Sequence, residues 1–161
     1  MGKFLLLFVS LLLFTGASAT ELVAGNFKFD LEGTWDISEN SGTTTAVEDK
    51  TNKAFIISIY YPNSIGEGAK MLASMKSYLS NLETQNPGLR EVHSMNRLAM
   101  EGIPPWELVS YEDSVSKGYF IGACLGSSAG LIMITFEGRS SVSEGVNQLK
   151  EILSSMEYIE T

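Results

Sequence analysis

The first half of the chain carries the alternating pattern of apolar and polar side chains that predicts β-strands. Residues 26–31 and 34–38 both alternate with a period of two, as in strands with one buried face, and a turn separates them. We expect these two segments to pair as a hairpin or a bent edge pair. A short β-branched strand follows at residues 43–47. Residues 54–61 place apolar side chains on both alternating faces, which predicts an interior strand.

The second half predicts two more strands and then a central hairpin. Residues 91–100 and 106–111 have strand patterns, and the two prolines just before the second segment suit a strand start or a sheet edge. Two apolar runs follow at residues 119–125 and 131–136, joined by the small residues 126–130. Small residues between two strands are typical of a hairpin loop. We therefore predict the central hairpin of a sheet.

Two amphipathic helices are predicted where the apolar period changes to that of a helix. The first extends over about residues 65–82. Its apolar stripe is formed by Met71, Leu72, Met75, Leu79 and Leu82. The second extends over about residues 142–156 and begins with a capping box, Ser141 at the cap and Glu144 three residues later. Residues 158–159 are predicted to add a last short strand.

The order of these elements predicts an α+β fold. Strands that follow one another directly along the chain favour an antiparallel sheet. The strands at residues 54–61, 119–125 and 131–136 are apolar on both faces, so both faces of the sheet need a cover. Two helices are available to supply it. We therefore predict a three-layer α/β/α sandwich around a mainly antiparallel sheet, with both helices on one face as the alternative.

The N-terminus has the pattern of an export signal. Lys3 precedes an apolar run at residues 4–14, and Ala17-Ser-Ala19 matches a cleavage site. A membrane anchor is the alternative, but it would need roughly 20 apolar residues. We expect cleavage after Ala19, an exported and most simply periplasmic protein, and a single domain at residues 20–161. No other long apolar run occurs, so we expect no membrane span after cleavage.

Composition narrows the classes of partner and cofactor. The formal net charge of −8 repels phosphate backbones, so we expect no nucleic-acid partner. The scattered acidic residues form either a solvated surface or a face for a basic protein. Cys124 is the single cysteine, so no intramolecular disulfide can form, and its apolar neighbours predict a buried thiol. The sequence has one histidine, and its residues do not show the spacing of an EF-hand or a phosphate loop. We therefore predict that the protein binds neither a metal ion nor a cofactor.

One segment fits a catalytic motif. Gly126-x-Ser128-x-Gly130 matches the nucleophile elbow of hydrolases. An elbow joins a strand to a helix and needs a later histidine, whereas here two strands flank the motif and His93, the only histidine, precedes it. The residue types are also compatible with a two-carboxylate glycosidase, but no pair of acids is singled out. We therefore expect no enzyme, and a hydrolase using Ser128 ranks third among the functions considered.

Three segments carry a resemblance to a known family: Phe-Lys-Phe-Asp-Leu-Glu-Gly-Thr-Trp at residues 27–35, Gly-Ile-Pro-Pro-Trp-Glu-Leu-Val at residues 102–109, and the helix end at residues 145–156. They resemble the aromatic entry, the mid-chain strand and the closing helix of PsbP-like and DcrB-like proteins. Leu31-Glu32 stands where that family has proline, and Ser155-Met156 where it has Ser-Phe.

The resemblance implies an α/β/α sandwich around an antiparallel sheet and a non-catalytic role. Members of the family dock on other proteins, as photosystem subunits, Ran-binding factors, exported envelope proteins or chaperones of type VI secretion effectors. Because their functional residues differ from member to member, none is transferred to this chain.

We therefore expect an exported, non-catalytic accessory protein of the bacterial cell envelope that binds another protein. Trp106, Tyr60 and Tyr61 are the predicted partner-binding residues, since exposed Trp and Tyr dominate interface energetics. The alternative is an immunity protein that neutralises a toxin acting in the periplasm. Both hypotheses leave the partner and the oligomeric state open.

Overall fold

This computed structural model describes residues 19–48, 50–127 and 130–160. They contain ten strands and three helices. These elements are β1 Ala19–Ala24, β2 Phe27–Glu32, β3 Asp36–Asn40, β4 Thr43–Glu48, β5 Lys53–Tyr60, α1 Ile65–Ser80, α2 Leu82–Gln85, β6 Leu89–Met100, β7 Ile103–Asp113, β8 Gly118–Ser127, β9 Gly130–Gly138, α3 Val142–Ser154 and β10 Glu157–Tyr158. The predicted α+β class is confirmed.

The strands form two sheets. A seven-stranded sheet has the order β3-β4-β5-β9-β8-β7-β6, and a three-stranded sheet has the order β1-β2-β10. Every pairing within the described ranges is antiparallel. The hairpin of β8 and β9 lies at the middle of the larger sheet, with Ser127 opposite Gly130, and β5 is an interior strand. The predictions of a central hairpin and of an interior strand at residues 54–61 are both confirmed.

The predicted pairing of residues 26–31 with residues 34–38 is wrong. Strand β2 pairs with β1 and β10 in the small sheet, whereas β3 pairs with β4 in the large one. The chain changes sheets at Gly33, whose φ of 96° favours glycine. Thr20 fixes this crossing, because its hydroxyl donates to the Gly33 carbonyl at 2.7 Å and accepts from the Trp35 backbone N–H at 3.3 Å.

Strand β1 was not predicted from the sequence. Its first residue, Ala19, is the last residue of the expected signal peptide, and residues 1–18 lie outside the described part of the chain. Cleavage after Ala19 stays a prediction. It would leave Thr20 as the first residue of β1.

One face of the large sheet is covered over its inner strands. Alternate side chains of β4, β5, β9 and β8 point to this face and are at most 1% exposed: Ala46, Phe55, Ile57, Ile132, Ile134, Phe136, Tyr119, Ile121 and Ala123. They pack with Leu149 and Leu153 of α3 and with Phe29 and Leu31 of β2. Helix α3 and the small sheet therefore supply the cover together.

Helix α1 packs against the opposite face of β8, where Gly122, Cys124 and Gly126 are small. A Cβ added at Gly122 would lie 2.4 Å from Leu79 Cδ2, so the missing side chain allows the helix to approach closely. The Tyr111 hydroxyl donates to the Leu79 carbonyl at 2.5 Å, and Lys76 Nζ lies 3.0 Å from Glu107 Oε1. These contacts fix α1 over β7 and β8.

The helices end slightly earlier than predicted. The first was expected over about residues 65–82 but ends at Ser80, after which α2 begins at Leu82. The second was expected over about residues 142–156 and ends at Ser154. The capping box at Ser141 is confirmed. In the described ranges, no helix has both the length and the apolar character that a membrane crossing requires.

Candidate functional site

The second face of strands β4, β5 and β9 is only partly covered by the chain. Most of its side chains are half-buried or exposed, and Ser58 and Leu131 on the same face are buried. We call this surface the open sheet face and define it by Thr43, Thr45, Val47, Ala54, Ile56, Met133, Thr135 and Glu137.

Strand register arranges these side chains in rows. Val47, Ala54 and Glu137 lie opposite one another across the three strands, and Thr45, Ile56 and Thr135 form the next row. Directly opposite residues of antiparallel strands point to the same side of the sheet. The open sheet face is therefore a flat surface of β-branched and small side chains with one carboxylate at its end.

A cavity of about 410 Å³ lies where α1 meets the open sheet face. It is lined by Tyr60, Lys70, Met71, Ser74, Met75, Tyr78 and Met133. Tyr60 and Tyr78 are 37% and 45% exposed. Thioether side chains adapt to differently shaped apolar partners, and tyrosine offers both an apolar ring and a hydroxyl. The cavity extends the apolar surface of the open sheet face toward the helix.

Of the predicted partner-binding residues, Tyr60 lies in this cavity and Tyr61 lies outside it. The Tyr61 side chain is 57% exposed, and its hydroxyl donates to Asn26 Oδ1 at 3.3 Å. It lines a second cavity of about 540 Å³, together with Ile65 at the start of α1 and Gly126 of β8. The structure therefore places the two tyrosines in different cavities.

The expectation that Trp106 is an exposed anchor is wrong. Its side chain is fully buried in the core cluster that includes α3. Strand β7 lies between β6 and β8, so the prolines before Trp106 mark the start of an inner strand rather than a sheet edge. The buried Trp106 Nε1 has no hydrogen-bond partner among the described residues. The indole thus serves packing.

Glu137 supplies the charge of the open sheet face. Its Cα partners are Ala54 on β5 and Phe120 on β8, neither of which can neutralise it. The Glu137 side chain is exposed, but partial desolvation of its carboxyl raises its pKa, and the negative charge of Asp113 raises the pKa further. In the described part of the chain, no lysine, arginine or histidine forms an ion pair with Glu137. The face can therefore accept a cation from a partner.

Sequence reasoning missed the site residues Val47, Ile56, Met133 and Glu137. A signal was present, since residues 54–61 and 131–136 are apolar on both faces and were expected to be covered on both. Helix α1 contacts β6, β7, β8 and β9, and Ile56 belongs to neither core cluster. The expectation of complete cover is wrong at β4 and β5. The helices do not reach all the apolar side chains that β4 and β5 carry on this face.

The catalytic candidates gain no support from their surroundings. Ser128 lies outside the described residues, and its flanking strands β8 and β9 form a hairpin, whereas an elbow leads into a helix. His93 is exposed on β6, opposite Ser110 of β7. Burial raises the pKa of the Cys124 thiol to about 11, so the thiol is protonated at neutral pH. The described residues contain no cluster of three side chains suited to a metal ion.

An acidic cavity of about 540 Å³ lies on the other side of the molecule, beside α3 and the small sheet. The carboxylates around it belong to Asp30, Glu32, Glu48 and Glu151. Lys53 is the one basic residue that lines this cavity, and its Nζ lies 3.7 Å from Glu48 Oε2. The excess of negative charge makes the cavity a second candidate surface for a basic partner.

Comparison with known proteins identifies the fold. The chain is similar to a point mutant of the protein Mog1, with 11% identity over 89% of this chain and 96% of that chain and a TM-score of 0.57. The Ran-binding protein Mog1p of Saccharomyces cerevisiae gives 11% identity over 89% and 95%, with a TM-score of 0.51. Cyanobacterial PsbP from Synechocystis gives 13% identity over 88% and 93%, with a TM-score of 0.57.

No family model and no curated protein matches the sequence. At these identities the structural matches show the fold alone. The chain has a PsbP/Mog1-like fold, and the PsbP part of the resemblance in the sequence is confirmed at that level.

Proposed function

We propose that this chain is a non-catalytic accessory protein that binds another protein through the open sheet face. The proposal rests on one observation. The open sheet face carries apolar side chains, and helix α1 covers it only in part. An uncovered sheet face that carries apolar side chains such as Val47 and Ile56 is suited to an interaction site. One structural neighbour, Mog1p, is itself a Ran-binding protein, which supports protein binding as a role for this fold.

The finer expectations from the sequence belong to the same proposal. The chain is a DcrB-like member of this fold, built as three α/β/α layers, exported to the periplasm after cleavage behind Ala19. Alternate residues of β8 support the three layers, since Ile121 and Ala123 pack in the cluster with α3 and Cys124 packs in the cluster with α1. Intact-mass analysis of protein purified from cell envelopes tests export. It should give a chain that begins at Thr20, and a full-length cytoplasmic chain would contradict export.

Protein binding is best tested by site-directed cross-linking, because the chain offers a clean labelling background. Cys124 is fully buried with a raised pKa, so a maleimide at neutral pH should react only with an introduced cysteine. Val47→Cys places a photoreactive benzophenone on the open sheet face. Val92→Cys, on the edge strand β6, is the matched control, since the two valines are 37% and 39% exposed.

We expect illumination in envelope extract to join one protein to the Val47→Cys variant at near-stoichiometric yield and none to the Val92→Cys variant. Equal yields at both positions, or no cross-linked protein at either, would overturn the proposed function. A Ser128→Ala variant that lost a hydrolytic activity of the wild type would replace it with the hydrolase hypothesis.

The acidic cavity supports one second candidate, an immunity protein that binds a basic toxin. Four carboxylates against one lysine give it the charge that such a toxin would recognise. Neutralising Glu48 and Glu151 together would then weaken binding, while Val47→Arg would leave it unchanged. The opposite result favours the open sheet face.

A further inference from the structure

Building on the proposed protein-binding function, we propose that the open sheet face receives an amphipathic α-helix of the partner, which lies beside α1 and places a lysine or arginine against Glu137. The partner helix would continue the layer that α1 begins. Four features of the structure lead to this occupant: the width of the face, its length, the chemistry of its side chains and its charge.

The width of the face matches one helix. The three strands β9, β5 and β4 follow one another in the sheet, and the axes of β9 and β4 are about 10 Å apart at the usual strand spacing. A helix with its side chains is about 10–12 Å across. Helix α1 lies over β7 and β8, and the cavity at Tyr60 and Met133 separates it from the exposed strands. One further helix therefore fits beside α1 on the same face.

The length of the face sets the length of that helix. From Ala54 to Tyr60, strand β5 advances six residues. This is about 20 Å at the usual rise of a strand, which corresponds to about 13 residues of α-helix. A partner helix of three to four turns would reach from the Tyr60 cavity to the Glu137 carboxylate.

The chemistry of the face favours a helix over an extended segment. The open sheet face presents side chains such as Ile56 and Met133, and the backbone groups of β4, β5 and β9 are paired within the sheet. An extended peptide lying on it would have its own N–H and C=O groups covered without partners, which is costly. A helix satisfies its backbone internally and needs only an apolar stripe to pack against the face.

Charge selects among amphipathic helices. Glu137 has no ion-pair partner in the described ranges, and Asp36 of β3 stands in the same row beyond Val47. Both carboxylates lie at one end of the face. A lysine or arginine at the matching end of the partner helix would neutralise Glu137 as the helix covers it.

Three synthetic peptides of about 14 residues probe this inference by fluorescence anisotropy with the purified protein. The first is an amphipathic helix with a leucine stripe and one terminal lysine, the second has glutamate in place of that lysine, and the third has a central proline that breaks the helix. We expect saturable binding of the lysine peptide, about tenfold weaker binding of the glutamate peptide, and no saturable binding of the proline peptide.

Substitutions in the protein locate the binding. Val47→Arg should lower the affinity for the lysine peptide about tenfold, because it places a positive charge in the row of Glu137, where the peptide lysine would lie. The matched variant Val92→Arg should change the affinity less than about twofold. Glu137→Gln should lower the affinity for the lysine peptide about fivefold and should not lower the affinity for the glutamate peptide.

The inference is overturned by equal affinities for the lysine and glutamate peptides, by binding of the proline peptide, or by equal effects of Val47→Arg and Val92→Arg. It is also overturned if the wild type sediments as a dimer that Val47→Arg dissociates, since the occupant would then be a second copy of this chain. A cross-link from position 47 to an extended partner segment would refute the helix and leave the proposed function standing.

Discussion

The two faces of strands β4, β5 and β9 share a backbone and differ in what covers them. On one face Ala46, Phe55 and Ile57 are fully buried under α3 and the small sheet, whereas on the other Val47 is 37% exposed and Ile56 is half-buried. Side-chain type explains only part of the difference, because both faces carry isoleucine although three threonines and Glu137 lie on the second. The rest of the difference lies in the number of covering elements. Stability is concentrated on the first face, and surface for a partner is left on the second.

The largest effect on stability should come from substituting two neighbouring isoleucines, Ile56 and Ile57, which point to opposite faces of the sheet. Ile57→Ala removes a fully buried side chain and should lower the free energy of unfolding by about 2–5 kcal/mol. Ile56→Ala, one residue earlier, should cost about 1 kcal/mol, since its side chain is only partly buried. Urea unfolding of both variants measures the difference. Equal losses would show that the open sheet face is packed as tightly as the core.

A smaller effect should follow from a change under α1. Gly122→Ala places a Cβ 2.4 Å from Leu79 Cδ2, so α1 has to shift, and we expect a loss of about 1–3 kcal/mol. The control is Gly66→Ala in the first turn of α1, where an added Cβ meets nothing within 4 Å. Alanine is the better helix former, so this variant should gain up to about 1 kcal/mol. Thermal unfolding should show opposite shifts for the two glycines.

The smallest effect should come from Glu137, where stability and binding are expected to oppose each other. A carboxyl whose pKa is raised in the folded state stabilises the fold below its unfolded pKa and loses that contribution as the pH rises through the folded pKa. Glu137→Gln should therefore gain less than about 1 kcal/mol over wild type, and the gain should grow from pH 4 to pH 7. Glu39→Gln on the exposed strand β3 is the control. A gain that does not change with pH would contradict the role of desolvation and of the Asp113 charge.

Local patterns predicted the strands and helices well, because each pattern follows from the geometry of one element. The period of two at residues 54–61 found β5, and the capping box at Ser141 found the start of α3. The changeover at Gly33 was missed, because the hydrogen bonds of Thr20 that direct it join residues distant in the sequence. Pairing partners are decided by such contacts, which no local period records.

The candidate site was predictable only in part, and for the same reason. Tyr60 was found because an exposed tyrosine before a proline is a local feature, whereas Trp106 was misplaced because its burial depends on β6, β8 and α3. Ile56 was expected to be covered, because residues 54–61 are apolar on both faces. Its partial exposure depends on where α1 lies, and Gly122 and Leu79 decide that position.

The alternation along β5 has a consequence for how this chain tolerates change. If every position of the strand were varied in turn, survival of the fold should fall at Phe55 and Ile57 and stay high at Ala54 and Ile56, a profile with the same two-residue rhythm as the pleat. Selection for folding would then constrain every second codon of the strand. The codons between them could change as the partner changes. A new binding specificity could then arise without substitutions at the residues that stabilise the fold.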